Sequence, residues 1–330
     1  MFERESFYHM LPSESMDVCE ENRKEFFYTL LERNYIWKKR FVDKQERPWT
    51  DNKIFQDYKF TNVYRELDRS SQWLINNIIR DESLDLKNLV WKILVYRIFN
   101  NPETFKLSVW PNGIPAYDDY NEDEFYEFIK FVRSKGQNPY TSAYIYPSMK
   151  GHTKDEGYCK FVVPEIHKKL PEFMQLVETA NTPEQIFEYL KNIPLIGKFT
   201  AHEFYQDLCY IPIYTDKTFM KFGQNDFTNV GPGSGTGIRL IYPSLQYKKY
   251  KTGIQRLKDE CEEEVKKIAE EMGVRPLYIG WNKETKQYEI SENCNITLNQ
   301  IEMWLCEYQK YWKMVKKVGK QRQVYVQKTF

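Results

Sequence analysis

Between Asp85 and Asn100 the chain reads DLKNLVWKILVYRIFN, apolar on nearly every face of the helix it would form. Such a helix cannot lie on a surface, because each of its sides needs apolar cover. It therefore commits the chain to a central helix wrapped by other elements, and the rest of the sequence supplies them. Residues 17–43 read as one or two helices with Phe26, Phe27, Leu30, Leu31 and Tyr35 on one stripe. Pro48-Trp49-Thr50-Asp51 interrupts the pattern; helices are expected to start near Asp51 and again near Thr61, the second carrying Phe60, Val63, Tyr64, Leu67, Leu74 and Ile78 at helical spacing. Residues 122–134 form a shorter amphipathic helix.

The stretch 136–170 is rich in Gly, Pro and Tyr and reads as loop or short strands. Thr182-Pro183-Glu184-Gln185 is a helix start, with a capping Thr, Pro at the first helical position and Gln closing a capping box. That helix runs to about Asn192, Ile193 to Gly197 turn, and 199–210 is helical again. Residues 223–237 read as loop. Thr252 to Met272 is a long helix with Gly273 past its end, 276–290 is the one clear hairpin, and Thr297 to Gln300 opens a helix to about Val318. No repeat or linker divides the 330 residues, so the expectation is a single mainly helical domain over 1–330 with small β additions and a basic tail at 316–330.

Bulk charge announces no nucleic-acid partner: 48 basic residues face 47 acidic ones. Aromatic residues make up 16% of the chain, enough for a large core with rings left for stacking. Six scattered cysteines without a Cys-x-x-Cys disfavour zinc and fit reduced thiols. The N-terminus MFERESFYHML has no signal-peptide core and no run approaches a membrane span, so an intracellular protein with no membrane partner is expected.

Chemistry could sit in three places. In FTNVYRELDRSSQWL, Asn62, Glu66, Arg69 and Trp73 would share a helical stripe flanked by Arg65. Two guanidiniums could fork onto phosphate, or the stripe could be a solvated face of Glu–Arg pairs. LKNIPLIGKFTAHEFYQDL has the layout of a helix-hairpin-helix at about 184–210, whose hairpin amides face a DNA phosphate with Lys198 and Thr200 adding donors. Leu195 stands where that motif usually has glycine, and a bulky residue there could hold the phosphate off the amides. The alternative is an ordinary αα-hairpin. In NDFTNVGPGSGTGIRL, Gly231, Gly233, Ser234, Gly235, Gly237 and Arg239 could form an anion nest, or the glycines could permit a tight turn. No Gly-Lys-Ser/Thr follows, so the loop is not a nucleotide-kinase phosphate loop.

In this order, PWTDNKIF, FTNVYRELDRSSQWL, IPLIGKFTAHEFYQDL, NDFTNVGPGSGTGIR and ITLNQIEMWLCEYQKY resemble the α-glutamyl/putrescinyl thymine pyrophosphorylase family over about residues 25–315. That family shares its helical module with 5-hydroxymethyluracil DNA kinases and is similar in fold to helix-hairpin-helix DNA glycosylases. The resemblance implies a viral or prophage enzyme of thymine hypermodification, at work in the host cytoplasm. It would displace pyrophosphate from an activated 5-hydroxymethyluracil in DNA with an amine, an amino acid or polyamine.

Arg65, Glu66, Asp68, Arg69 and Asp226 are then the catalytic candidates, the carboxylates to deprotonate the amine and the cations to help the leaving group. Asn62, Ile196, Gly197, Lys198 and Thr200 are the DNA-binding candidates; Gly231, Gly233, Ser234, Gly235 and Arg239 are the pyrophosphate-binding ones. Trp73, Tyr64 or Phe227 could stack on a base taken out of the duplex. The implied partners are double-stranded DNA carrying a modified pyrimidine, a small amine and a 5-hydroxymethyluracil DNA kinase. No cofactor is implied beyond a divalent metal such as Mg accompanying pyrophosphate. The rival readings are a glycosylase using Asp216 or Asp226, Asp216 standing at roughly the spacing from Gly197 at which helix-hairpin-helix glycosylases place a catalytic Asp, and a non-catalytic DNA-binding partner of the kinase.

Overall fold

The computed structural model describes residues 17–319. Fourteen helical segments and one hairpin follow in chain order among these residues: α1 (Glu20–Trp37), α2 (Lys53–Asp57), α3 (Arg69–Leu74), α4 (Leu86–Phe99), α5 (Pro102–Phe105), α6 (Glu122–Ser134), α7 (Lys154–Gly157), α8 (Val163–Thr179), α9 (Pro183–Lys191), α10 (Lys198–Leu208), α11 (Ile211–Tyr214), α12 (Pro232–Ile241), α13 (Tyr250–Glu271), β1 (Tyr278–Asn282), β2 (Gln287–Ser291) and α14 (Leu298–Val315). Wider π turns continue α1 and α3, over Lys38–Val42 and Ile75–Ile79. The protein is mainly helical with one small antiparallel sheet, as the periodicity predicts.

α4 is the central helix. Asp85 caps its start by accepting the Asn88 amide, and Asn100 ends it in the left-handed region at φ 46°. Every residue from Leu89 to Phe99 is buried, including Lys92 and Arg97. Around it the side chains from Leu74 to Phe227 make one hydrophobic core. A second core joins the two ends of the described chain, Phe26 to Leu67 with Ile238 to Tyr311. The chain therefore begins in the second core, leaves to build the first, and returns. Where it crosses between them is where the polar side chains of interest collect.

Three segments differ from the sequence expectation. No helix starts near Thr61: the chain stays non-helical to Tyr64, makes a 3₁₀ turn over Arg65–Leu67, and enters α3 only at Arg69. Asp68 stops the earlier helix, because its carboxylate accepts both the backbone and side-chain amides of Asn62 (2.9 Å each) and its own backbone is extended. The apolar residues of this stretch are spread over two cores rather than one helical stripe.

Between 136 and 170 the second half is helical, not loop or strand: α7, a π turn over Tyr158–Val162 and α8 follow without a break. The prolines misled. Pro164 falls where the π turn gives way to α8, so its missing amide coincides with a change in the register of the helical hydrogen bonds. Pro171 deprives the His167 carbonyl of its helical donor, and the Tyr117 hydroxyl donates to that carbonyl instead at 3.0 Å. Finally, Pro232 to Gly237 are helical, the first turns of α12.

Those glycines answer to packing. A Cβ on Gly237 would stand 2.3 Å from the Leu305 carbonyl oxygen, and one on Gly233 2.3 Å from Cys306 Sγ, so α12 and α14 approach at backbone distance. At the C-terminal side, the hairpin pairs Tyr278 with Ser291 through Asn282 with Gln287. The basic tail lies outside the described residues beyond Gly319.

Candidate functional site

α10 carries His202, Glu203, Gln206 and Asp207 on its buried side. Glu203 and Asp207, four apart, lie one above the other and face two arginines from other elements. Asp207 and Arg97 of α4 are both fully buried and form a two-pronged pair, with Arg97 Nη2 donating to Oδ1 at 2.5 Å and Nε to Oδ2. Arg97 also donates to Asn100 Oδ1 at 2.9 Å and to the Tyr144 hydroxyl at 3.2 Å. Burial alone would weaken this guanidinium's hold on its proton, and Asp207 and Tyr144 more than reverse that. Arg65, at the 3₁₀ turn, donates to Glu203 and, at 2.5 Å, to Gln206; Tyr144 donates to the same Glu203 oxygen. Two arginines and two carboxylates thus close on one another, and the network crosses from the first core to the second.

Beside it runs a second polar row. Glu66 is held by Gln300, whose amide donates to both carboxylate oxygens at 3.2 and 3.3 Å. Burial pushes Glu66 up to about 7, against the lowering effect of Gln300 and Arg65. Glu302 accepts from Ser234 Oγ and from the Gly231 amide at 3.2 Å; burial pushes it up to about 7 as well. His202, bonded to Asn299 at 3.0 Å, is pushed down to about 4, chiefly by burial, so it is neutral at physiological pH. A narrow void lined by Arg65, Gln206, Asn299 and Gln300 lies between these groups and is too tight for a water molecule.

An open groove lies nearby, enclosing about 380 Å³. Arg80, Ile213, Tyr214, Asp216 and Lys217 line one part of it, and Trp281, Lys283 and Lys286 of the hairpin line another. Its wall connects to Glu66: the hydroxyls of Tyr214 and Tyr288 are 2.8 Å apart, and the Gln72 amide donates to Tyr288 at 2.9 Å and to the Glu66 carbonyl at 2.6 Å.

The structure brings together only some of the residues expected from sequence. Arg65 and Glu66 meet in the seam. Asp68 is raised by burial and is engaged with Asn62, which is itself buried. Arg69 is exposed and paired with Glu103, away from the others. Asp226 is exposed and closes a turn on the Gly223 amide at 2.7 Å. Trp73 stacks on Tyr96, Phe227 packs against Phe187 and Tyr205, and Tyr64 is buried, so none of the three is free for a base.

Ile196 is buried below the α9–α10 turn, whereas Gly197 and Lys198 are exposed and Thr200 is partly so. Leu195 takes φ 59°, the conformation that explains glycine at this place, and its side chain packs on the first core. Gly231 to Gly235 are not a nest: they are helical or extended at negative φ, with Ser234 and Gly231 turned to Glu302. Arg239 is exposed further along α12. Among the described residues no group of three or more His, Cys, Asp or Glu side chains is placed to hold a metal ion, and no helix is long and apolar enough to cross a membrane.

Sequence reasoning missed Arg97, Glu203, Asp207, Gln300 and Glu302. One signal was available: a guanidinium inside an all-apolar helix must meet a buried acid, and HEFYQDL offers two acids four residues apart.

The family described as "5-hmdU DNA kinase, helical domain" matches residues 20–321. The chain belongs to this family. A 5-hmdU DNA kinase of Bacillus phage SP10 is 25% identical over 302 residues, covering 87% of this chain and 44% of the phage protein. The chain thus spans less than half the length of that relative. No solved structure matches.

Proposed function

We propose that this protein displaces pyrophosphate from an activated 5-hydroxymethyluracil in DNA with a small amine, as a member of the thymine pyrophosphorylase branch within the wider family. The observation that carries this reading is Glu66: a partly buried carboxylate at the seam of two cores, held by Gln300 and raised to about 7, while the backbone carbonyl of the same residue is linked through Gln72 and Tyr288 to Tyr214 in the groove wall. In the reaction the amine nitrogen forms a bond to the C5-methylene carbon. The carbon–oxygen bond to pyrophosphate breaks with its electron pair, and the nitrogen's proton passes to a base. A carboxylate with a proton affinity near neutrality suits that last step. The chain acts as one domain, in the cytoplasm of an infected host.

DNA would be gripped at the turn between α9 and α10, proposed as a helix-hairpin-helix of a glycosylase-like fold. Gly197 is exposed at the start of α10, nothing beyond its chain neighbours and its own helix backbone lies within 4 Å of where its Cβ would be, and the Leu195 side chain packs against the first core. Phosphate can then approach the first amides of α10, with Lys198 beside them. A kinase supplies the activated base, and Mg would arrive with the pyrophosphate.

One observation favours a second reading, a non-catalytic module that presents modified DNA to a separate kinase. Arg65 is already matched by Glu203 and Arg97 by Asp207, so neither arginine of the seam is spare for a leaving group. Nucleoside mass spectrometry separates the two. Purified protein is incubated with DNA carrying pyrophosphorylated 5-hydroxymethyluracil and an amine mixture. An amine-substituted nucleoside supports transfer, and its loss in Glu66→Gln supports the assigned base. Binding with no new nucleoside supports the module, and abasic sites would show base excision instead.

A further inference from the structure

We propose that the groove lined by Tyr214 and Trp281 is a nucleotide site, taking a planar base against this aromatic wall and its phosphate oxygens on Lys217, Lys283 and Arg80. Four cationic side chains line it (Arg80, Lys217, Lys283, Lys286) against two carboxylates (Glu82, Asp216), an excess of positive charge in a protein whose whole-chain charge is close to zero. Little of that charge is engaged. Lys286 reaches Glu82 at 3.3 Å, both side chains well exposed, and Lys283 donates to the Pro212 carbonyl at 3.0 Å. Lys217 has no ion pair among the described residues. Exposed pairs of the Lys286–Glu82 kind are weak and readily exchanged for a phosphate.

The apolar part of the groove is aromatic and fixed. Tyr214 and Tyr288 meet the Trp281 ring edge-on at 4.9 and 5.0 Å, which holds the indole upright at the groove wall. Arg80 lies over that ring at 5.2 Å and is steadied by Asn76 at 3.0 Å, so a guanidinium plane is offered next to the indole. Rings with cations alongside are what a base with attached phosphate requires, and a volume of about 380 Å³ is within the range of small-molecule sites. Because α11 and the turn after α3 supply one part and the hairpin the other, the site exists only where the two cores meet.

This deepens the proposed reaction and rests on it for the substrate: the groove supplies the leaving-group cations that the Arg65 cluster lacks. The same chemistry could come from a free nucleotide or from a nucleotide of a DNA strand. Isothermal titration of the full chain with dTDP and with short single-stranded oligothymidylate tests both. The expected result is binding of at least one, weakened at least roughly tenfold in the doubly substituted Lys217→Glu, Lys283→Glu protein, equivalent to losing one charge-assisted contact.

Trp281→Phe, which keeps a ring on the hairpin, should weaken binding less than the charge reversal. Unchanged thermal unfolding of both variants shows that the fold is intact. Binding of dTDP points to a free nucleotide, and binding of the oligonucleotide alone to a DNA-borne one. Absence of binding by either at millimolar concentration, or equal binding by wild type and the doubly charged variant, overturns the site. Titration needs no turnover, so failure here is distinct from failure of the transfer reaction in nucleoside analysis.

Discussion

Glu302 closes the first turn of α12 through Ser234, whose hydroxyl donates to the carboxylate while the Gly231 amide donates to it at 3.2 Å. An acid from α14 thus completes the start of another helix, where a side-chain oxygen is favoured. It does so with its proton affinity raised to about 7 by burial.

The folded protein therefore holds a proton on Glu302 between pH 4.5 and about 7, where an unfolded glutamate has lost it. Its contribution to stability falls as pH rises through that window and is level above it. Glutamine cannot titrate. The stability of Glu302→Gln relative to wild type should therefore rise with pH from 5 to 7.5, by up to ~3 kcal/mol. Urea denaturation at several pH values measures this, and parallel pH profiles would contradict it.

Removing one member of the Arg97–Asp207 pair leaves the other charge buried. Arg97→Ala and Asp207→Ala should each destabilise by ~3–5 kcal/mol, whereas Arg97→Met combined with Asp207→Leu should recover much of the loss. Arg65→Ala belongs with the single variants, while Arg69→Ala, at an exposed pair, should change stability by less than ~1 kcal/mol. Thermal unfolding ranks all five, and a stable Arg97→Ala protein would show the network to be dispensable.

At the α12–α14 contact, Gly237→Ala places a methyl against the Leu305 backbone and should cost ~1–3 kcal/mol. Gly233→Ala meets the Cys306 side chain and should cost less, because a thiol can rotate away where a carbonyl cannot. Equal unfolding midpoints for the two variants would argue against backbone-distance packing.

For the α9–α10 turn, Lys198→Ala should weaken DNA binding alike across sequences and lower the salt dependence by about one charge. Fluorescence anisotropy between low and moderate salt reads the slope. An unchanged slope would leave the turn as packing alone.

Much of the helical framework was legible along the chain because its causes are local. The capping boxes at Thr182 and Thr297 and Gly273 after α13 each act within a few residues, and each stands where the pattern puts it. Local signals failed where a distant group overruled them. Pro171 ends a helix unless a hydroxyl fifty residues earlier serves the orphaned carbonyl, as Tyr117 does. Glycines at 231–237 read as a loop until α14 lies against them at a distance only glycine allows.

The candidate site divides the same way. Arg65 and Glu66 could be singled out as charges among aromatics, but their partners, Glu203 and Gln300, stand 138 and 234 residues away. Sequence alone set which segments could be helices and which faces were apolar, since both follow from spacing and caps. Only the meeting of two cores decided which charges lost water, found counter-charges and were left near neutrality, because burial and Coulomb attraction act through space and not along the chain.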